Sequence, residues 1–322
     1  MEEGALRLAL VTPVHDDWPA FLRLVGEISA LSPQGVAAIE ILVVNDGSLL
    51  PPPEAVPAGG LVERVEILEL ACNLGHQRAI ALGLAQVVTA GRADIVAVMD
   101  SDGEDRPQDL AALIAAQAAA PGSVAVARRT RRSEGPVFAL FYVLYKLLFR
   151  MLTGQSISFG NFAVLPFAAA RRLAYMAETW NHLAGALVRS RLPLAMVPTA
   201  RGRRWFGVSR LGFIGVTVHG LQAVSVFADR LFARLLLLSA ALAAFSLGAA
   251  AVVVGIRLFT TLAIPGWASG IVGLLAVVFL QAILLSVSGV VLVLSSRAMP
   301  GVVPMRMLAD LALGCRPIAR PG

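Results

Sequence analysis

The chain reads Ile-Val-Ala-Val-Met-Asp-Ser-Asp-Gly-Glu-Asp-Arg-Pro at residues 95–107. The apolar run at its start predicts a buried strand, and acids follow at alternate positions, namely Asp100, Asp102 and Glu104. Carboxylates crowded at a strand end repel one another unless a cation lies among them, and hard divalent ions such as Mg²⁺ or Mn²⁺ favour such oxygen ligands. The alternative interpretation is a solvated acidic turn that caps a helix beginning near Pro107.

The N-terminal half alternates between strand-like and helical segments. Periodicity predicts strands at residues 6–11, 39–44, 65–70, 95–99 and 124–127. It predicts helices at residues 19–31, 77–90 and 107–119. This βαβ alternation indicates an α/β domain with a mainly parallel sheet that is covered on both faces.

A polar cluster follows each of the five predicted strands. These clusters occupy residues 13–17, 45–48, 73–77, 100–105 and 128–132. Parallel α/β domains bind their ligands in the crevice beyond the carboxyl ends of the strands. Five clusters in this register therefore predict a functional cleft rather than five unrelated solvated turns.

These motifs resemble family-2 glycosyltransferases of the GT-A (Rossmann-like) fold, in particular polyprenyl-phosphate sugar transferases related to dolichol-phosphate mannosyltransferase. The resemblance covers residues 1–210, and its first element is a degraded match. The matching elements are Pro13-Val14-His15-Asp16-Asp17, Val44-Asn45-Asp46-Gly47-Ser48, Asn73-Leu74-Gly75-His76-Gln77, Asp100-Ser101-Asp102, the pair Arg128 and Arg131, and Arg204-Trp205-Phe206-Gly207-Val208-Ser209-Arg210.

The resemblance implies an inverting, metal-dependent hexosyl transfer from a nucleotide-diphosphate sugar to polyprenyl phosphate. Mg²⁺ or Mn²⁺ is expected on Asp100, Asp102 and Glu104. The nucleotide-sugar is assigned to Pro13, Asp16, Asp17, Asp46, Asn73, Gly75, His76, Gln77 and Asp100. Catalysis is assigned to Asp102, Glu104, Arg128 and Arg131.

The residue types suit this chemistry. Carboxylates accept hydrogen bonds from hydroxyl and ring N–H groups, so Asp46 and either Asp17 or Asp16 are expected at the base and ribose. A lipid monophosphate is largely dianionic near neutral pH, since its second pKa is about 6, and it needs no general base. The guanidinium forks of Arg128 and Arg131 are suited to holding it.

Two elements depart from the family pattern. Gly160-Asn161-Phe162-Ala163 lacks both charges of a glycine-aspartate-phenylalanine-arginine element, and Arg210 replaces a lysine. The first departure concerns the acceptor and leaves another lipid or a glycan as alternatives. A catalytically silent membrane scaffold that binds nucleotide-sugar is the alternative from a different class.

The C-terminal part is unusually apolar for a soluble domain. The chain is 57% hydrophobic, and its mean hydropathy is +0.75. Residues 235–256 and 268–296 carry no charge, and each segment exceeds the ~20 residues that span a bilayer core. They predict a two-helix transmembrane hairpin, with a buried soluble helix as the alternative. Arginines flank its outer ends and only Arg257 lies in the connection, so both termini are expected in the cytoplasm.

The expected organisation is a cytoplasmic GT-A domain at 1–210, an interfacial linker at 211–234, the hairpin at 235–297 and a cytoplasmic tail at 298–322. The expected location is a bacterial inner membrane. Residues 138–152 and 211–227 are amphipathic and predict helices at the bilayer interface, with domain-core helices as the alternative.

Basic composition alone does not indicate nucleic acid as a partner. The net charge is +6, yet no basic helix interleaved with aromatic residues and no recognition motif is present in the sequence. Anionic lipid headgroups explain the charge better. The two cysteines match no metal spacing and fit a reducing compartment. A homo-oligomer remains open.

Overall fold

The computed structural model describes residues 5–129, 147, 149–207, 220–261, 266–298 and 301–319. The chain forms two compact units. The first contains residues 1–141, 157–226 and 301–322, and the second contains residues 142–156 and 227–300. Arg131, residues 138–146 and residues 211–219 lie outside the described part of the chain.

In the described residues the first unit is built on one eight-stranded sheet, in the order β7-β5-β6-β4-β1-β2-β3-β8. Neighbouring pairs β1/β2, β1/β4, β2/β3 and β5/β7 are parallel, while β6 and β8 run antiparallel to their neighbours. The strands are β1 Leu6–Val14, β2 Val36–Asn45, β3 Val62–Leu70, β4 Ile95–Val98, β5 Val124–Arg129, β6 Ala163–Pro166, β7 Leu194–Thr199 and β8 Ala312–Pro317. The mainly parallel sheet predicted from the sequence is confirmed.

Helices cover both faces of this sheet, and each face has its own apolar core. The helices of the unit are α1 Trp18–Ser29, α2 His76–Ala90, α3 Asp109–Ala119, α4 Phe167–Ala174, α5 Leu183–Ser190 and α8 Pro304–Leu311, with a 3₁₀ turn at Ala177–Trp180. The three helices and five strands expected from periodicity are all present. Helix α3 begins at Asp109, slightly later than the expected start near Pro107.

Helix α2 lies unusually close to the sheet because its central residue is a glycine. A Cβ at Gly83 would lie 2.5 Å from the side chain of Val11 and 2.8 Å from that of Val44. The side chains of β1 and β2 therefore fit directly against the helix backbone. This close packing fixes the helix N-terminus, where His76 begins α2, at the carboxyl edge of the sheet.

Residues 301–319 belong to the sheet unit, although the sequence predicts a tail there. Helix α8 packs on α2, and β8 pairs antiparallel with β3. Ile318 is buried in the core and its N–H donates to the carbonyl of Val65. Arg316 forms an ion pair with Glu69 at 3.3 Å. The chain that follows the two apolar helices thus completes the edge of the sheet.

The second unit contains the two long apolar helices, α6 Ala228–Phe259 and α7 Trp267–Ala298. They extend beyond the predicted spans at both ends. Within this unit Phe227 packs edge-on against Phe149, and the guanidinium of Arg234 donates to the carbonyl of Met151. Both helices are long and apolar enough to cross a membrane, by length and composition.

Candidate active site

The polar clusters meet at the point where the strand order of the sheet reverses. Strands β2 and β3 extend from one side of β1, and β4 lies on its other side. Such a switch point creates a crevice beyond the carboxyl ends of the strands. The end of β1 at Pro13 and the acids after β4 flank it, and Ser101 donates to the Pro13 carbonyl at 3.4 Å.

Asp46 joins the loops that follow β2 and β3. Its buried carboxylate accepts the backbone N–H groups of Leu74 and Gly75, at 2.7 and 3.0 Å. Gly47 has a φ of +62°, and a Cβ there would lie 2.5 Å from the backbone nitrogen of Asn73. Asp46, for which the sequence predicts a contact with the base or ribose, therefore braces the neighbouring loop in this structure.

Replacing Gly47 by alanine should destabilise the protein by more than about 3 kcal/mol, because a strained φ and a backbone clash coincide. Gly91→Ala is the matched control, since Gly91 has a φ of +63° and nothing within 4 Å of an added Cβ. That control should cost about 1 kcal/mol. Thermal unfolding of the detergent-solubilised chain measures both, and equal losses would contradict the loop contact.

Asp16 has a similar bracing role. It adopts a φ of +52°, and its carboxylate accepts the backbone N–H groups of Leu49 and Leu50 at 2.8 and 2.9 Å. The hydroxyl of Ser48 accepts the backbone N–H of Asp16 at 2.9 Å. The first and second polar clusters are thus tied together, which leaves Asp17 as the acid of the first cluster that extends toward the acid loop.

His15 and Asn73 form a polar pair beside these loops. The Nδ1 atom of His15 lies 2.9 Å from the carbonyl of Asp46, and the amide of Asn73 lies 3.2 Å from the imidazole. The side chain of His15 is one-third exposed, at 34%. Together with Asp17 these groups place polar side chains at the β1–β2 side of the crevice.

Asp100 and Asp102 are the closely spaced acids that the sequence predicts. Burial and then the negative charge of Asp100 raise the pKa of Asp102 above its ordinary value. The Glu104 N–H, which donates to Asp102 at 2.9 Å, and the guanidinium of Arg204 oppose that rise. Two carboxylates that repel each other in a half-buried loop are groups that a divalent cation would stabilise.

Glu104 does not join them. Its carboxylate is bound by Arg201 at 2.8–3.1 Å, and Arg129 lies 3.7 Å away. Across the described residues, no three His, Cys, Asp or Glu side chains are grouped to hold a metal ion. Glu104 is thus paired with Arg201 in this structure, and the three-acid metal site stays a prediction from the sequence. Asp102 with Asp100 remains a fitting pair, because Mg²⁺ is commonly held by one or two carboxylates plus substrate phosphates.

Asp105 is a buried acid that the metal prediction leaves out. It accepts the backbone N–H of Asp100 at 3.1 Å and pairs with Arg129 at 3.1 Å. Burial and the charge of Asp100 raise the pKa of Asp105 to about 7, although Arg129 opposes the shift. Asp105 thus shapes the turn that presents the acids.

His76 links the acid loop to Asn161, one of the residues that depart from the family pattern. His76 Nε2 lies 3.2 Å from Asp100 and 3.1 Å from the amide of Asn161. Burial lowers the pKa of His76, but the nearby acids, Asp100 first among them, raise it more, so the net shift is upward. Gln77 donates to Asn161 at 3.2 Å and accepts the Leu183 N–H at 2.8 Å. Gln77 is therefore a structural bridge.

Arg128 lies at the end of β5 with an exposed side chain, as the sequence predicts. Its expected companion Arg131 is outside the described residues. The contacts that sequence reasoning misses come from the segment after β7. There Arg204 bridges Asp17 at 2.8 Å and Asp102 at 3.1 Å. The Arg-Trp pair at residues 204–205 is visible in the sequence. Its acidic partners cannot be inferred there, because they are far from it along the chain.

Known proteins are similar to this chain in family, in sequence and in fold. The family model described as Glycosyl transferase family 2 matches residues 9–176. A Mycobacterium tuberculosis protein grouped with the glycosyltransferases is 23% identical over 272 residues, which cover 84% of this chain and 78% of that protein.

Solved structures of glucosyl-3-phosphoglycerate synthase from Mycobacterium tuberculosis share the fold. The complex with Mn²⁺, uridine-diphosphate-glucose and phosphoglyceric acid is 16% identical with a TM-score of 0.51, and covers 71% of this chain and 81% of that one. The complex with Mn²⁺ and uridine-diphosphate-glucose has a TM-score of 0.50 at 16% identity, over 71% and 80% of the two chains. The GT-A fold expected from the sequence is confirmed.

Proposed function

This chain belongs to glycosyl transferase family 2, and from that premise we propose that it moves a sugar from a nucleotide-diphosphate donor to a lipid phosphate at a membrane surface. The observation that carries the proposal is the acid pair Asp100 and Asp102 at the switch point of the sheet, next to Arg204 and His76. It combines two acids that a divalent cation would stabilise with the guanidinium of Arg204, a positive group suited to a diphosphate, and with the imidazole of His76.

The donor lies along the crevice with its nucleotide toward β1 and β2. Asp17, His15 and Asn73 offer hydrogen-bonding side chains there, while Asp16 and Asp46 keep the loops in place. Asp102 with Asp100 would hold the ion, Mg²⁺ or Mn²⁺. When bound, the ion would supply positive charge next to the departing diphosphate. Arg204 adds a fixed guanidinium on the same side.

The acceptor phosphate approaches from the side of β5. Arg128, with the neighbouring Arg131 of the sequence, provides planar donor groups that match phosphate oxygens. A dianionic phosphate is itself a nucleophile, so the task of these residues is to hold and orient it. The departures at Asn161 and Ala163 leave this part of the crevice with fewer charges than the family pattern.

Two apolar helices support a lipid rather than a soluble acceptor. Only 17% of the most apolar window of α6 and 6% of that of α7 is buried inside the protein. A core helix of a soluble protein would be mostly buried, so these surfaces fit a bilayer. With arginines flanking their outer ends, the sheet unit lies on the cytoplasmic side of a bacterial inner membrane.

A soluble phosphorylated acid is the second candidate acceptor. Solved structures of the same fold hold phosphoglyceric acid, and a phosphate group is what both acceptors share. The two candidate acceptors differ in the group attached to the phosphate, which is an isoprenoid chain in one and a carboxylate-bearing acid in the other.

Radiolabelled nucleotide-sugars, tested one at a time with the full chain in lipid nanodiscs, decide between them. Polyprenyl phosphate, polyprenol, diacylglycerol and 3-phosphoglycerate are offered in parallel. Transfer to polyprenyl phosphate alone is the expected result. Transfer to 3-phosphoglycerate would establish the second candidate, and preference for a hydroxyl lipid would refute a phosphate acceptor.

The membrane arrangement is tested separately with single cysteines in a chain whose own two cysteines are replaced. An impermeant thiol reagent applied to intact cells should label position 262, between the apolar helices, and should leave position 310 unlabelled until the cells are opened. Labelling at 310 and not at 262 would show that the arrangement is inverted.

A further inference from the structure

Residues 201–206, here called the strap, are joined to the acid loop by backbone hydrogen bonds. The N–H of Gly202 donates to the carbonyl of Glu104 at 2.8 Å, and the N–H of Trp205 donates to the carbonyl of Asp102 at 3.0 Å. Two bonds in this register place the strap directly alongside the acids.

Glycines allow the two segments to approach so closely. Gly103 has a φ of +88°, and a Cβ there would lie 2.5 Å from the indole ring of Trp205. A Cβ at Gly202 would collide with the carbonyl oxygen of Gly103. The guanidinium of Arg23 covers the ring of Trp205 at 4.7 Å from its centroid. The strap is therefore packed as well as hydrogen-bonded.

A bidentate ion pair closes the contact. Arg201 donates from Nε at 3.1 Å and from Nη2 at 2.8–2.9 Å to the carboxylate of Glu104. Arg201 and Glu104 are 32% and 20% exposed, so solvent screens the pair only in part. Bidentate pairs of this kind fix direction as well as distance.

The strap holds Arg204 where a donor diphosphate would arrive. Its guanidinium contacts Asp17 at 2.8 Å with one nitrogen and Asp102 at 3.1 Å with the other. Since Arg204 lies three residues after Arg201, any movement of the strap away from Glu104 would withdraw this guanidinium from between the two acids.

We propose that Glu104 and Arg201 form a latch that holds the strap closed, and that Glu104 acts as a positioning residue for Arg204 rather than as a metal ligand. This rests on the proposed function, because the diphosphate of a nucleotide-sugar is the group that the positioned Arg204 receives. The latch reduces the ordering that diphosphate binding would otherwise require.

The full chain in detergent is tested as Glu104→Gln, Arg201→Gln, the double variant and Arg201→Lys. Arg203→Gln is the matched control, because Arg203 is exposed in the same segment and makes no ion pair within the described residues. Hydrogen exchange of residues 201–206 reports strap closure without any ligand. Electron paramagnetic resonance measures the binding of Mn²⁺ alone. Calorimetry measures the binding of inorganic pyrophosphate in the presence of Mg²⁺.

Both single variants should lose exchange protection in the strap and bind pyrophosphate about tenfold more weakly, the change that accompanies loss of one charge-assisted pair. The double variant should be no worse than either single variant, since they break the same pair. The pyrophosphate affinity of Arg201→Lys should lie between those of the wild type and Arg201→Gln, because one ammonium replaces the guanidinium fork only in part. Mn²⁺ affinity and the Arg203→Gln control should match the wild type.

Loss of Mn²⁺ affinity in Glu104→Gln but not in Arg201→Gln would overturn the proposal and make Glu104 a metal ligand. Unchanged strap protection in both single variants, or wild-type protein that does not bind pyrophosphate, would also overturn it. Normal pyrophosphate binding without sugar transfer to any acceptor would count against the proposed function and leave the latch standing.

Discussion

Asp102→Asn is expected to lower sugar transfer by on the order of a hundredfold or more while the protein stays folded. The amide removes the negative charge that would hold the divalent ion and that pairs with Arg204. Stability should not suffer, because Asp102 is a partly buried acid whose pKa is raised by burial and by Asp100, and the neutral side chain relieves that repulsion.

Initial rates with and without added Mg²⁺ or Mn²⁺ measure this effect, and a thermal unfolding curve checks the fold. Asp310→Asn is the matched control, since Asp310 is an exposed aspartate of the same unit, away from the crevice. It should transfer sugar at the wild-type rate. Equal activity of the wild type in excess chelator, or of Asp102→Asn, would mean that the acid pair is not the cation site.

A chain that stops after residue 300 is expected to lose its folded sheet unit. It lacks β8, which pairs with β3, and the core residue Ile318. It also lacks Leu308 and Leu311, which pack against the second core. The loss of these apolar side chains and of the pairing at the strand edge should cost about 4 kcal/mol or more, a large part of the stability of a typical domain.

Size-exclusion profiles and thermal unfolding of the detergent-solubilised proteins test this expectation. A chain that stops after residue 319 is the control, because it keeps β8 and Ile318. The control should behave as the full chain does. If the shorter chain unfolds at the same temperature as well, β8 is dispensable and the edge of β3 is stable alone.

Periodicity predicts strands β1 to β5 but misses β7, which pairs parallel with β5. Strands β1 to β5 are apolar runs bounded by polar clusters, and local sequence pattern encodes both features. Because Asp17, Asp46, Asp100 and Asp102 follow the ends of these strands directly, the same pattern also predicts that they lie near the crevice. Local sequence pattern is enough to predict a strand and the polar residues after it when neighbouring residues encode both.

The strands that periodicity does not predict depend on contacts that are distant in sequence. Strand β6 is four residues long and lies antiparallel between β4 and β5. Strand β8 contains Gly314 and Pro317, which are typical of loops, and becomes a strand because β3 offers an open edge. Propensity alone cannot reveal such pairings.

The side-chain partners of the acids escape prediction for a similar reason. Arg201 is 97 residues from Glu104, and Arg204 is 102 residues from Asp102. In the sequence the row of acids predicts one metal site, whereas in the fold Arg201 pairs with Glu104 and Arg204 pairs with Asp102. The bracing roles of Asp16 and Asp46 also escape prediction, because the sequence does not show which backbone N–H groups donate to a carboxylate.

The return of the chain to β3 after the two apolar helices also sets an order of events during synthesis. Strand β8 leaves the ribosome after both helices, roughly ten seconds after residue 226 at ordinary elongation rates. Until then β3 presents an unpaired edge, which is open to incorrect pairing. A nascent chain can therefore complete its sheet only after both apolar helices have emerged, so that maturation of the sheet unit waits on synthesis of the second unit.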